Sequence, residues 1–308
     1  RYSDMPVVKG GLAKRFWTQV LKYVLAVLVL FVFAAPFGWL ILASIQVESE
    51  LLSVPPKLVP EDPTLITYEK LLRGERLENE STEASVRTYS VPREAKLFPV
   101  AVFNSLVVSV STMLICLVVG SLSAYSMARL HFRGSRTVLL TIVATRMIPA
   151  LTLVIPFFLL ANSLSMLDRK ITLVIVYTTF TLPYTIWVLK SFFETIPPDL
   201  EDSARVDGCT RIQALYRVIL PVSQSGLVGA GIFVLMLAWN EFFYALTLTN
   251  SEDAFTVPVV SGMFATELDI DYSLMITSGV LAVVPPVLIT LVFQRFILKG
   301  LTAGSLKG

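Results

Sequence analysis

Six long apolar runs, separated by polar segments, dominate the pattern of hydrophobic positions along the chain. Each run is long enough to cross the hydrocarbon core of a bilayer, which takes about 20 apolar residues in a helix. The predicted spans are residues 20–45, 98–128, 138–160, 171–189, 222–248 and 274–298. The pattern therefore predicts an all-α integral membrane protein with about six transmembrane helices.

The polar segments define the predicted organisation. Residues 1–19 form an N-terminal segment, 46–97 an external loop, 98–298 a core of five helices with a long loop at 195–221, and 299–308 a tail. Basic residues mark the cytoplasmic side of membrane proteins. An inward N-terminus places Lys14, Arg15, Arg133 and Arg136 on that side, whereas the last external segment has no Lys or Arg. Both termini are therefore predicted to be cytoplasmic.

The first apolar run is too long for the hydrophobic region of a signal peptide, and no clear cleavage pattern of small residues follows it. It is therefore expected to remain as a helix. Arg1 stands in place of a methionine, which suggests a trimmed or incomplete N-terminus.

Composition supports the membrane assignment and excludes several functions. The chain is 55% hydrophobic and 16% charged, with a mean hydropathy of +0.72, whereas soluble domains carry about 25% charged residues. A net charge of +2 gives no bulk attraction to nucleic acid. Cys116 and Cys209 lie far apart and indicate neither a disulfide framework nor a metal site.

The sequence also lacks the common catalytic motifs. It contains no G-x4-G-K-[ST], H-E-x-x-H or G-x-S-x-G pattern. We therefore expect no catalysis and no cofactor in this chain, so the energy for any transport must come from a partner or an ion gradient.

The external loop is rich in proline and glutamate. Residues 65–73 are predicted to form a short helix and residues 74–93 a flexible insertion. The loop is either simply solvated or a docking surface for an external partner.

The segment at residues 195–221, called here the coupling loop, is longer than a plain connector requires. Pro197 and Pro198 should end the preceding helix, with Asp199 as N-cap of a helix over 200–206. Gly208 should stop that helix, and Thr210 should cap a second one over 211–219 that ends at Pro221. Two short helices joined by a glycine turn would form a rigid knob suited to a partner's groove.

The coupling loop resembles the EAA-x3-G-x9-I-x-L-P signature of ABC importer permeases. Asp202-Ser203-Ala204 stands at the EAA, Gly208 at the glycine, and Val218-Ile219-Leu220-Pro221 at the end, with matching spacing. Asp202, Ser203 and Val218 are mild departures, of which Asp202 has a shorter reach than glutamate. Residues 239–246 resemble the WNEF stretch of carbohydrate permeases, and residues 300–308 resemble the C-terminal tail of the maltose-type subunit. Residues 103–106 and 182–184 look like further features of the family.

This resemblance implies the fold of a type I importer permease in a bacterial or archaeal plasma membrane. The implied partners are a second permease subunit in a heterodimer, a dimer of ABC ATPases that binds ATP and Mg²⁺, and an external substrate-binding protein. The residues implied in ATPase coupling are Glu201, Asp202, Ser203, Ala204, Asp207, Gly208, Leu220 and Pro221. The residues implied in a contact between the tail and the ATPases are Gly300, Leu301, Thr302, Gly304 and Lys307.

Polar and aromatic residues within the apolar runs are candidates for the substrate pathway, because charged groups in a membrane usually serve a function. They are Arg146, Asn104, Trp239, Asn240, Glu241 and Tyr244. Arg146 could donate hydrogen bonds to sugar hydroxyls or an anionic group, or it could form a structural pair with Glu241. The amide side chains could join helices, and the two aromatic rings could stack on a sugar or serve packing.

The predicted function is a permease that moves a sugar or related polyol into the cytoplasm by alternating access. Two alternatives remain open at this point. A gradient-driven secondary transporter usually has more helices and an inverted repeat, and neither is evident here. An ABC permease for a solute other than a sugar stays within the same family.

Overall fold

A computed structural model describes residues 10–73, 93–130, 132–265 and 270–305 of the chain. The α-helices are α1 Gly10–Ala43, α2 Glu48–Leu51, α3 Ile66–Arg73, α4 Phe98–Arg129, α5 Ser135–Ala144, α6 Val154–Ser163, α7 Lys170–Glu194, α8 Pro198–Val206, α9 Arg211–Ala214, α10 Leu220–Val222, α11 Gln224–Trp239, α12 Phe243–Leu248, α13 Val257–Met263 and α14 Tyr272–Ser305. Short 3₁₀ segments cover Arg93–Leu97, Thr145–Met147 and Ala150–Leu153, and a π-helical turn covers Leu215–Ile219. Within the described ranges the chain has no β-strand, only an isolated bridge between Ala265 and Ile270. The all-α prediction is confirmed.

Among the described residues, four helices are long and apolar enough to cross a membrane, and they match four of the six predicted runs. These spans are Phe16–Ala43, Ala95–Arg129, Lys170–Glu194 and Tyr272–Gln294. The third predicted run is a bent pair, Ser135–Met147 with Ala150–Ser163, whose axes differ by 87°. The break falls at Pro149, where the missing N–H and the bulk of the ring interrupt a helix.

The fifth predicted run, residues 222–248, is not one helix. The segments Arg211–Val222 and Gln224–Trp239 meet at 82°. The helix then stops at Trp239, and α12 begins at Phe243. If each bent pair counts as one span, the total is six, in agreement with the predicted number.

The core is built on α4, which packs against α7 and α11, while α11 also packs on α14. α1 contacts α14, and its apolar side chains are otherwise exposed. In the segment predicted to be an external loop, α3 confirms the helix predicted over residues 65–73. The predicted insertion at residues 74–93 lies almost wholly outside the described residues, as does His131.

Close contact between α11 and α7 depends on Gly226. A Cβ atom built at this glycine would lie 2.5–2.7 Å from three ring atoms of Phe192, which is closer than real Cβ contacts. Small residues at such positions let membrane helices approach each other. The packing of α11 on α7 therefore requires glycine here.

We expect Gly226→Ala to lower the thermal stability of the purified protein in detergent, because overpacking costs about 1–3 kcal/mol. Gly229→Ala on the same helix is the matched control, since a Cβ there meets nothing within 4 Å. Equal melting temperatures for the two variants would show that the contact with Phe192 does not limit packing.

Candidate functional site

The glycine turn of the coupling loop has the geometry that the sequence predicts. Gly208 has φ +91°, its N–H donates to the carbonyl of Arg205 at 3.1 Å, and the N–H of Cys209 donates to that of Ala204 at 3.0 Å. These two bonds form a Schellman motif, in which a left-handed residue ends a helix and satisfies its last carbonyl groups. Glycine adopts this conformation without the steric cost of a Cβ atom.

The second helix of the coupling loop starts with a complete capping box. The N–H of Gln213 donates to the Thr210 hydroxyl at 3.3 Å, and the N–H of Thr210 donates to the Gln213 side chain at 2.8 Å. Two backbone groups that lack helical partners are thereby satisfied. The predicted cap at Thr210 is confirmed, and the loop is a defined structure on both sides of its turn.

Two details of the predicted loop are wrong. Asp199 does not cap α8, because the N-cap is Pro197 and Asp199 lies inside the first turn. Its negative charge there stabilises the helix through a favourable interaction with the helix dipole. Pro221 does not end the second helix either. The chain stays helical through Val222, with a π-helical turn at Leu215–Ile219 just before the proline, and bends at Ser223.

The coupling loop exposes apolar side chains at the end of the molecule. Leu200 is 45% exposed, Val206 88% and Ile212 62%. The apolar face of an amphipathic helix normally packs on a core, so apolar side chains that stay exposed on both helices of the coupling loop make it a candidate interaction surface. Among the residues implied in coupling, Asp202, Ser203, Asp207, Gly208 and Pro221 are exposed, and Ala204 and Leu220 are half-buried.

Glu201 differs from the other implied coupling residues because it is only 7% exposed. Its carboxylate accepts a hydrogen bond from the Tyr125 hydroxyl and lies 3.3 Å from Nε of Arg129. Both partners belong to the last turns of α4. The prediction that Glu201 contacts an ATPase is not supported in this conformation, since its carboxylate faces the interior of its own chain.

Glu241 fills the gap between α11 and α12. Its side chain accepts hydrogen bonds from the N–H groups of Tyr244 at 3.0 Å and Ala245 at 3.1 Å, and from the Tyr177 hydroxyl at 2.9 Å. It thus satisfies the first N–H groups of α12, which a helix start leaves without partners. A break in a membrane-spanning helix requires such a group wherever water is excluded.

Arg146 lies at the corner of the bent span formed by α5 and α6. Its Nη1 donates to the carbonyl of Phe180 at 2.6 Å, and the residue is exposed in the isolated chain. The alternative pairing with Glu241 is therefore wrong. Glu241 is occupied by Tyr177 and by α12, while Arg146 ties the corner to α7.

The remaining pathway candidates have internal partners. Trp239 and Tyr244 are each 2% exposed, and their polar atoms donate to the carbonyls of Ala282 at 3.1 Å and Ala150 at 2.6 Å. In this conformation neither ring is open to a sugar. Asn240 donates to the carbonyl of Met236 at 2.9 Å, one turn earlier in its own helix.

Asn104 organises the end of the bundle opposite the coupling loop, called here the far end. It is fully buried, donates to the carbonyls of Glu252 at 3.2 Å and Phe255 at 2.9 Å, and accepts from Nζ of Lys170 at 2.9 Å. It therefore joins α4 to α7 and to the segment before α13. Asn104 is a structural junction in this conformation.

Asp168 fixes the neighbouring segment at the far end. Its carboxylate accepts from the N–H groups of Asn250 and Ser251, each at 2.9 Å. Burial acts to raise the pKa of Asp168, but these bonds and one from the Ser251 side chain lower the pKa below its ordinary value. The carboxylate is held in its charged form and anchors the chain after α12.

The tail is helical as far as the structure describes it. Residues implied in the ATPase contact, Gly300, Leu301, Thr302 and Gly304, belong to α14, which runs to Ser305. Lys307 lies outside the described residues.

Sequence analysis did not identify four residues that contribute to these sites, namely Tyr125, Arg129, Tyr177 and Lys170. Arg129 and Lys170 stand at ends of apolar runs, where a basic residue carries a topological signal whatever else it does. Tyr177 lies inside an apolar run, and a buried tyrosine hydroxyl usually finds a partner. That rule indicates a hydrogen bond but does not identify Glu241 as the acceptor.

Comparison with known proteins shows the family to which the chain belongs. Residues 90–302 match the family described as "Binding-protein-dependent transport system inner membrane component". The chain is 32% identical over 298 residues to the sulfoquinovosyl glycerol transport system permease protein SmoH of Agrobacterium fabrum, covering 97% of each chain. It is 34% identical over 254 residues to the trehalose transport system permease protein SugB of Mycobacterium tuberculosis, covering 82% of this chain and 85% of that one.

A solved structure shares the fold. A chain of a bacterial ABC transporter involved in the import of the acidic polysaccharide alginate superposes with a TM-score of 0.72 at 19% identity. The match covers 95% of this chain and all of the other.

Proposed function

Because the chain belongs to the family of binding-protein-dependent transport system inner membrane components, we propose that it is the membrane-spanning subunit of an ATP-driven sugar importer. The observation that carries this proposal is the coupling loop, a capped and rigid knob with exposed apolar side chains. A membrane span does not require such a surface, whereas a separate ATPase subunit needs a docking surface through which it can move the membrane helices. The family name indicates the other component of the proposed importer, a binding protein that delivers the solute.

The proposed assembly has two permease subunits, two ATPase subunits and an external binding protein, in the plasma membrane of a bacterium or an archaeon. The two permeases form a heterodimer of this chain and a second one. ATP and Mg²⁺ bind to the ATPases. The exposed residues around Gly208 meet the ATPases, and the end of α14 together with the following residues, including Lys307, adds a second contact.

The proposed substrate class is a sugar. The relatives named above belong to transport systems for sulfoquinovosyl glycerol and trehalose, both of which contain sugar rings. The transport mechanism is alternating access, in which closure of the ATPases moves the coupling loop and tilts the helices attached to it. The corners at Pro149 and Ser223 are where the bent spans can change angle.

Arg146 is the residue of this chain proposed to act on the substrate. It is exposed at the corner of the third span, and one guanidinium nitrogen is already fixed to Phe180. The other N–H groups of its planar fork suit hydroxyl or anionic oxygen acceptors. We expect Arg146→Ala to raise the KM for uptake roughly tenfold, since one charged hydrogen bond is worth about 1.5–3 kcal/mol.

Uptake kinetics measured per assembled complex test this role of Arg146. Arg136→Ala, which removes another exposed arginine near the start of α5, is the matched control and should leave KM unchanged. A variant at Arg146 that fails to assemble, while the control assembles, would instead support a purely structural tie to α7.

Co-purification tests the proposed assembly. The tagged chain, extracted from membranes in mild detergent, should retain a second permease and an ATPase, identified by mass spectrometry, and the eluate should hydrolyse ATP. A chain that elutes alone in several detergents, without ATPase activity, would contradict the proposal.

A further inference from the structure

The first helix of the coupling loop buries one of its charged residues and exposes two of its apolar ones. Its apolar residues Leu200 and Val206 are exposed, whereas the charged Glu201 is buried. A charge is costly to bury unless it is paired and hydrogen-bonded. The buried carboxylate therefore needs strong partners, and the structure supplies them from a membrane span.

Arg129 connects three elements at this point. Its Nε lies 3.3 Å from the Glu201 carboxylate of α8, and its Nη2 donates to the carbonyls of Phe193 at 3.1 Å and Ile196 at 2.7 Å. These carbonyls belong to the end of α7 and the turn that follows it. The planar guanidinium suits such a fixed set of acceptors better than a lysine would.

Tyr125, one turn before Arg129 on α4, completes the arrangement. Its hydroxyl donates to Glu201, and its ring belongs to a buried apolar cluster at this end of the bundle. The cluster consists of Ala124, Tyr125, Ala128, Leu189, Phe193, Ile196, Leu215, Ile219 and Ala230. Polar and apolar contacts therefore hold the coupling loop to the same two helices, α4 and α7.

α4 extends from this joint to the far end without interruption. The helix has 32 residues and spans about 48 Å at 1.5 Å per residue. At its far end Asn104 bonds the segment that precedes α13. A displacement applied to α8 is thus passed to one rigid helix that reaches both ends of the bundle.

We propose that Tyr125, Arg129 and Glu201 form the joint that transmits movement of the coupling loop to α4, as positioning residues for transport. The inference rests on the proposed function, because the movement comes from an ATPase. Glu201 acts through α4 rather than by touching the ATPase. This role is separate from that of the exposed residues around Gly208.

The test uses the co-purified complex and needs no sugar. A single cysteine is placed at Val100, which is 44% exposed at the far end of α4, after Cys116 and Cys209 have been replaced by serine. Maleimide labelling is measured with and without ATP and vanadate in complexes carrying Glu201→Gln or Tyr125→Phe. Glu194→Gln is the matched control, because Glu194 pairs with Lys190 within α7 at the same end of the bundle.

In the parent and control complexes, the labelling rates with and without ATP and vanadate should differ by a factor of roughly five or more. In assembled Glu201→Gln and Tyr125→Phe complexes the ratio of the two rates should be close to one. Retention of the parental ratio in both variants would overturn the joint. Failure of both to assemble would also overturn it, because the residues would then serve folding alone. A parental complex without an ATPase, or without any change of labelling, would instead count against the proposed function.

Discussion

Replacing Gly208 by Asp is expected to reduce ATP-driven uptake about tenfold or more, while the chain still inserts into the membrane. Gly208 has φ +91°, a conformation that costs a residue with a Cβ atom about 1–2 kcal/mol. The cost would distort or shift the Schellman turn, and the new carboxylate would stand in the exposed surface proposed to meet the ATPase. Uptake and the amount of chain in the membrane are measured together.

Gly134 provides the matched control for that substitution. It also has a left-handed backbone, with φ +87°, and a Cβ added to either glycine meets nothing within 4 Å of its own chain. Gly134→Asp therefore carries the same backbone strain without lying in the coupling loop. Equal losses of uptake in the two variants would mean that strain alone is responsible, and the docking surface would lose its support.

Glu241→Ala is expected to reduce the amount of folded chain in the membrane and, with it, total uptake. The substitution leaves α12 without the side chain that accepts from its first N–H groups, which costs about 1 kcal/mol. It also leaves the buried hydroxyl of Tyr177 without an acceptor, at a further cost of about 1–3 kcal/mol. Folded protein is measured by fluorescence-detected size-exclusion chromatography and by the melting temperature in detergent.

Glu241→Gln separates hydrogen bonding from charge at this position. Glutamine keeps one oxygen that can accept from Ala245 and Tyr177 and loses only the acceptor of the Tyr244 N–H, so it should restore most of the folded protein. Tyr177→Phe removes only the hydroxyl bond and should fall between the two. Folding of Glu241→Ala at the parental level would contradict the role given to the carboxyl group.

The length of the apolar runs was enough to predict the number of spans, because a bilayer fixes how long such a run must be. It could not predict the break in the fifth run. Only Asn240 and Glu241 interrupt the apolar run where the helix stops, and Phe242 and Phe243 resume it at once, so the mean hydropathy of the run stays high. The break depends on Glu241 and its partner Tyr177 on α7, a contact between residues far apart in sequence.

The coupling loop was predictable where its structure is local. The glycine turn and the Thr210 cap depend only on neighbouring residues, and both were predicted correctly. The inward position of Glu201 was not predictable, because it depends on Arg129 and Tyr125 of another helix. For the same reason Arg146 could be identified as a costly charge in a membrane, while its actual acceptor, the carbonyl of Phe180, could not.

We propose that this chain carries sugar across a membrane at the expense of ATP hydrolysed by a partner. The most direct test reconstitutes the co-purified complex in liposomes with the binding protein and the sugar recovered from it. We expect uptake that requires ATP on the side of the coupling loop, stops with vanadate and needs no ion gradient. Uptake that persists without ATP and collapses with a protonophore or sodium ionophore would contradict it.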